Sequence, residues 1–336
     1  MYRLMLTIPQ LLLRGKVHMK CSVFLQCLCC VRLVSAVLFA TDESAAIPAI
    51  YSQIKDIYHP TLDEYRAIQN YLVHGEREEV KRLHDYNYEN VVRNFKIIGS
   101  TQEELPTFEI INVNSELSEK ENCVLVYASF NRNYLKGLNR LVTHLKESDF
   151  KGHILCRQGG FPNVEGGSLV LAHVPYAFKV SFFKEAQRLG YKRAFWLDTA
   201  VVPLVSLNAV FKEIQEKGYF VMGNTHMVGP FITTETAAAF GVTLEETARI
   251  PFCSAGIFGV DFTNERAVKV IDSWYKAAYH KDAFFSSRPE QAALSIILYQ
   301  MGIFDFVSIS RMPHVENGEQ ITADSLFLLD RRFVHY

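Results

Sequence analysis

Short apolar runs alternate with stretches whose apolar residues recur every three or four positions. Cys123–Ala128, His153–Arg157, Leu169–Val174, Ala194–Leu197, Tyr219–Met222 and Ile250–Val260 read as largely buried strands. Leu138, Leu141, Val142 and Leu145 share one face of a predicted helix. Phe178, Phe182, Ala186 and Leu189 share a face of a second, which Gly190 stops. Ala267, Val268, Ile271, Trp274 and Tyr275 face inward from a third, over Asn264–Ala278, and Leu294, Ile297, Leu298 and Met301 from a fourth. Strands alternating with helices predict the α/β class.

The most informative stretch is Arg193-Ala-Phe-Trp-Leu-Asp-Thr-Ala-Val-Val. An apolar strand stops abruptly on Asp198, which places a carboxylate at the sheet edge where open α/β sheets bind ligands. An unpaired buried carboxylate is costly, so Asp198 should meet a cation, a donor or water. A strand-ending aspartate also starts turns, and both readings stand at this point. The later strand is interrupted by Ser254, Ala255 and Gly256, small residues of the kind that mark close approach of a ligand or another backbone.

The N-terminal third differs. Arg3, Arg14, Lys16 and Lys20 precede an almost wholly apolar run, 21–40, broken only by Arg32. Residues 1–46 therefore read as a signal peptide or signal-anchor, with Met19 as an alternative start and possible membrane association through 21–40. This predicts a secreted or membrane-anchored protein, and a cytoplasmic one if the run is no targeting signal. Residues 47–120 read as a helical preamble or stalk, with a polar, turn-rich boundary over 103–122. Residues 121–336 form the main domain. The 336 residues, 49% apolar with a net charge of −1, suffice for a large core and lack the basic surplus of a general nucleic-acid binder. Outside the leader only Cys123, Cys156 and Cys253 remain, in neither a disulfide nor a zinc spacing. No Gly-x-Ser-x-Gly elbow is present, which disfavours an α/β hydrolase.

A lysine-bearing helix, the strand ending Trp196-Leu197-Asp198-Thr199-Ala200, the triplet Ser254-Ala255-Gly256 and a helix opened by Glu290-Gln291 follow in that order. Over residues 122–336 this order resembles the A-type glycosyltransferases, the nucleotide-diphospho-sugar transferase superfamily. The resemblance implies a Rossmann-like mixed central sheet flanked by helices and transfer of a sugar from a nucleotide-sugar donor to a glycan, lipid or protein acceptor. It implies donor contacts from Ser129, Asn131, Arg132, Lys179, Asp198, Ser254, Ala255 and Gly256. On the acceptor side it implies Asn224, His226 and Gln291, with Glu290 as the base on the acceptor hydroxyl.

Charge on the leaving diphosphate is met either by a divalent ion or by fixed cations. Mn2+ or Mg2+ on Asp198 and the C-terminal His335, with His314 as a weaker alternate, is the family's route. Ala200 stands where the family carries a second acid, so metal dependence departs from the pattern. Without a metal, Lys179, Arg311, Arg331 and Arg332 are the available cations. The same departure favours an alternative: a catalytically inactive relative that binds carbohydrate or a partner. Two competing structural readings attach to Glu290 and Asn131. Ser287-Arg-Pro-Glu290 also fits a capping box, and Asn131 also fits a helix cap.

Overall fold

The computed structural model describes residues 107–333 apart from 130–131, 163–170, 172–173 and 281. The leader, most of the helical preamble, Asn131, His173 and His335 lie outside the described residues. Six strands form one mixed sheet: β1 (Thr107–Val113), β2 (Asn122–Ala128), β3 (Gly152–Gln158), β4 (Arg193–Leu197), β6 (Tyr219–Met227) and β7 (Pro251–Asp261). Their spatial order is β1-β3-β2-β4-β7-β6. β2 runs parallel to both β3 and β4, while β1 and β7 are antiparallel to their neighbours. A separate ribbon pairs β5 (Val201–Pro203) with β8 (Phe327–Leu329).

The connections decide where a cleft opens. From β2 the chain passes through α1 (Arg132–Glu147) to β3 on one side. From β3 it passes through α2 (Ala177–Arg188) to β4 on the other side of β2. The strand order thus reverses between β2 and β4, and a crevice forms beyond their C-terminal ends. Ser129 and Asp198 each follow one of these two strands.

Alternation along β4 sorts its side chains between two layers. Phe195 and Leu197 face α1 and α3 (Leu207–Lys217), in a core with Leu138, Leu141, Phe211 and Ile214. Trp196 faces the opposite layer, where Phe182 of α2 meets it edge-on. There α2 packs on α6 (Glu265–Ala278), and Phe183, Phe258 and Trp274 interlock, with Trp274 fully buried. Each large apolar side chain so buried contributes about 1.5–3 kcal/mol of transfer free energy. α7 (Pro289–Gln300) lies against β7 and α6. The short helices α4 (Thr234–Ala239) and α5 (Leu244–Thr247) complete the order, and Glu246 closes a capping box with Thr243.

Three sequence expectations are corrected. The turn-rich stretch 103–122 contains β1, an edge strand. Among the described residues it pairs only with β3, and of its apolar residues Phe108, Ile110, Ile111 and Val113 only the last is buried, so a short run set among polar turn residues does not stand out as a core strand. Of the strand expected over Leu169–Val174, Leu171 and Val174 are described and form a turn, with the Val174 amide donating to the Leu171 carbonyl at 3.0 Å. The capping box at Ser287 is absent. Arg288 is the N-cap of α7 and has no side-chain cap, while the Ser287 hydroxyl donates to the Phe231 carbonyl at 3.2 Å. Among the described residues, no helix is long and apolar enough to cross a membrane.

Candidate functional site

A cleft of about 810 Å3 opens beyond the C-terminal ends of β2 and β4. Asp198 lies in its floor, on the same side of the sheet as Trp196 because the two are one strand period apart. That parity lets the Trp196 indole Nε1 donate to Asp198 Oδ1 at 2.7 Å. The Asp198 side chain remains 41% exposed, so its carboxylate faces the cleft.

Lys179, in the first turn of α2, meets Asp198 from above. Its side chain is 6% exposed, and Nζ lies 3.1 Å from Asp198 Oδ1 and 3.2 Å from Glu290 Oε1. It also donates to the Ala255 carbonyl at 3.1 Å. Burial alone would pull the Lys179 ammonium down. The carboxylates of Asp198 and then Glu290 outweigh that effect and hold it above the ordinary lysine value. Desolvating an ammonium costs several kcal/mol, and three oxygen partners offset it. Glu290 is thus drawn into the cleft by an ion pair rather than back onto its own helix start.

The small-residue stretch of β7 creates the space these groups use. Pairing with β6 steps from Val221–Phe258 to Met222–Ser254, so Ala255, Gly256 and Ile257 are skipped on that side. The Asp198 amide donates to the Gly256 carbonyl at 2.9 Å. A Cβ at Gly256 would come 2.8 Å from Asp198 Oδ2, so a larger residue there would push the carboxylate aside. Ser254 and Gly256 line the cleft. The Ala255 side chain is fully buried, and its contribution to the site is its backbone carbonyl.

Other expected residues divide between the cleft and its surroundings. Ser129 and Asn224 line it. Gln291 lines it too, while its Nε2 donates to the Cys253 carbonyl at 2.6 Å, which holds the start of α7 against β7. His226 is exposed and packs edge-on against Phe231, itself a cleft residue. Arg132 begins α1, but its side chain is outside what is described, as are Asn131 and His335. Among the cations, Arg331 lines the cleft beside His314, whereas Arg311 Nε donates to the Asp324 carbonyl at 2.9 Å.

Several cleft residues carried no expected role. Tyr127 and Phe178 stack at 4.3 Å, and Phe178 also contacts Tyr176 and Trp196, giving an aromatic wall. Burial, and then the nearby Glu290 charge, push the Tyr176 hydroxyl up to about 12. Tyr176 itself is left-handed (φ 61°), which turns the chain sharply into α2. Arg288 lies over the Phe231 ring at 5.2 Å, at the opposite rim. Only Trp196 had a readable signal, its two-residue offset from Asp198. The Lys179–Glu290 contact joins residues too distant in sequence for any local pattern.

The C-terminal segment forms the remaining wall. Arg140 Nη1 donates to the fully buried Asp330 Oδ2 at 2.6 Å, and the Asp330 amide donates to the Ala200 carbonyl at 2.8 Å. This brings Leu329, Arg331 and Phe333 beside Ala200 in the cleft. The position where a second acid was expected is therefore a small side chain covered by the returning chain.

A divalent ion on Asp198 would need several further oxygen or nitrogen ligands. Glu290 and the Ala255 carbonyl are the further oxygens gathered here, and the Lys179 ammonium already lies among all three. Among the described residues, no group of three or more His, Cys, Asp and Glu side chains could hold a metal. Among the described residues, the Lys179 ammonium fills the position that a divalent ion on Asp198 would take; His335 lies outside the described residues. No protein-family model matches the chain, and no curated protein matches it.

Proposed function

We propose that the protein transfers a sugar from a nucleotide-diphosphate donor, with the A-type architecture that its sequence resembles. The observation that carries this reading is Asp198: a half-exposed carboxylate at the strand-order reversal, held from one side by Trp196 and Lys179 and fitted against Gly256. Three features support it. The cleft has the volume of a small-molecule site. The aromatic wall joins Tyr127, near the C-terminal end of β2, to Tyr176 and Phe178 at the start of α2, where a nucleotide base would stack. Glu290 supplies a second carboxylate within reach of the same lysine.

In this reading the donor lies across the C-terminal ends of β2 and β4. Asp198 orients the sugar end of the donor through its exposed oxygen. Gly256 and Ser254 let the sugar approach the β7 backbone, where a larger side chain would exclude it. Arg331, from the C-terminal wall, faces the charge that accumulates on the departing diphosphate. Glu290 accepts the proton of the acceptor hydroxyl, opposite the leaving group. The leader would carry this domain to, or across, a membrane.

A second reading is a binding module of the same architecture without turnover. Ala200 favours it, since the family's second acid is missing and its place is covered by Asp330 and Arg331. Calorimetry with uridine and guanosine diphosphates, followed by a donor-hydrolysis screen, separates the two. Transfer predicts binding plus slow hydrolysis of one donor, both lost in Asp198→Ala. Binding without hydrolysis supports the module. A folded protein that gives heat with neither nucleotide defeats both.

A further inference from the structure

We propose that Lys179 is the built-in cation of this site, standing where a divalent ion would otherwise stand, so that the cleft receives its anionic ligand without a metal. The position is defined by three oxygens of different origin: a carboxylate at the end of β4, a carboxylate in the first turn of α7, and a backbone carbonyl in the skipped stretch of β7. Nζ lies 3.1 Å from Asp198, 3.2 Å from Glu290 and 3.1 Å from the Ala255 carbonyl. Two carboxylates and a carbonyl are hard-cation ligands. A single ammonium takes all of them.

The geometry shows why the lysine is fixed rather than roaming. Its stem is buried in the first turn of a helix, and the Tyr176 and Trp196 rings lie 5.9 and 5.5 Å from Nζ. Trp196 holds Asp198 Oδ1, and Lys179 reaches Oδ1 at 3.1 Å and Oδ2 at 3.4 Å, so the carboxylate cannot swing to recruit an ion without breaking these contacts. Like charges repel strongly at such separations in a partly desolvated site, so a divalent ion and the ammonium exclude each other.

The lysine also changes what the cleft can bind. Asp198 and Glu290 alone would present two negative charges to an incoming phosphate. Lys179 removes one of them, and Arg288 and Arg331 line the cleft as further cations. Lys179 is therefore a positioning residue, acting through the two carboxylates rather than by touching the donor. This inference uses the donor reading only for the identity of the anion; the cation position stands on its own.

Electron paramagnetic resonance of Mn2+ titrated with the full-length protein tests it. The wild-type protein should take up no ion at the cleft. Lys179→Met should gain about one equivalent, and that gain should vanish in Lys179→Met/Glu290→Gln. Wild-type uptake of one Mn2+ that Asp198→Asn abolishes would overturn the proposal, as would a folded Lys179→Met that gains none. Wild-type uptake that survives Asp198→Asn places that ion outside the cleft, and a further equivalent gained by Lys179→Met then supports the proposal while its absence overturns it. If Lys179→Met does not fold, the wild-type titration decides, together with uridine diphosphate calorimetry in Mn2+ and in EDTA. Equal Kd in both buffers supports the built-in cation, and a tenfold loss in EDTA overturns it. Absence of nucleotide binding in either buffer counts against the donor reading alone, because the Mn2+ result still judges Lys179.

Discussion

Asp198 and Gly256 touch across the β4–β7 boundary: the Asp198 amide donates to the Gly256 carbonyl at 2.9 Å, and the space a Cβ would fill at Gly256 is bounded by Asp198 Oδ2. The carboxylate cannot retreat freely, because Trp196 holds its Oδ1 and Lys179 reaches both of its oxygens. Gly256→Ala should therefore displace the carboxylate into the cleft. Overpacking of this kind costs about 1–3 kcal/mol. If that strain falls on the bound state, the ligand's Kd rises about ten- to hundredfold. Nucleotide calorimetry beside a thermal melt checks this, and unchanged affinity would remove Gly256 from the site.

Arg157 and Glu185 form an ion pair with both side chains buried, Nη2 reaching the two carboxylate oxygens at 2.8 and 2.9 Å. The guanidinium also lies over Phe108 at 4.5 Å, which ties the β1 edge strand to α2. Glu185→Leu leaves a buried cation and should destabilise the fold by about 3–5 kcal/mol. Arg157→Met/Glu185→Leu should recover most of that loss. Urea unfolding of the three proteins measures it; a double variant no better than the single one would refute the account.

Asp330 holds the C-terminal wall of the cleft through Arg140 and Ala200. Asp330→Asn removes the carboxylate charge that Arg140 Nη1 binds, and stability should fall by about 1–3 kcal/mol. The same change should loosen Arg331 and Phe333, so limited proteolysis should cut near the C-terminus before the sheet unfolds. Proteolysis that begins elsewhere, with ligand binding intact, would separate this strap from the site.

Burial holds the hydroxyls of Tyr176 and Tyr219 up to about 12, the second aided by its bond to Asp305. In the unfolded chain both ionise near pH 10. Between pH 10 and 12 the folded state therefore keeps protons that the unfolded state has released, and unfolding becomes easier as pH rises. The urea midpoint should be level from pH 8 to 9.5 and fall steadily above pH 10. A midpoint unchanged at pH 11.5 would show that these hydroxyls are not buried.

Much of the architecture is legible in the order of residues. Apolar runs and helical periodicity marked β2, β3, β4, β7, α2 and α6 close to their observed ends, because each buries a continuous apolar face. Asp198 and the Ser254–Gly256 interruption were visible as breaks in those runs. β1 was not, because Thr107–Val113 is a short edge strand whose apolar residues, Val113 apart, stay partly exposed among polar turn residues. At the start of α7 the order of residues left two readings of Glu290 open. Ser287 and Glu290 have the composition of a capping box, but a buried lysine offers the glutamate a stronger partner than its own backbone amide.

Sequence alone determined that an α/β sheet forms and that a carboxylate ends one of its strands, since both follow from local periodicity and the cost of burying charge. Tertiary structure decided what that carboxylate meets. Lys179, Asp198, Ala255 and Glu290 come from four separate stretches of chain, and they meet because β7 pairs with β4 and α7 packs on β7 beside the start of α2. Local sequence specifies the faces each element buries; the long-range pairing of those faces specifies which charges become neighbours.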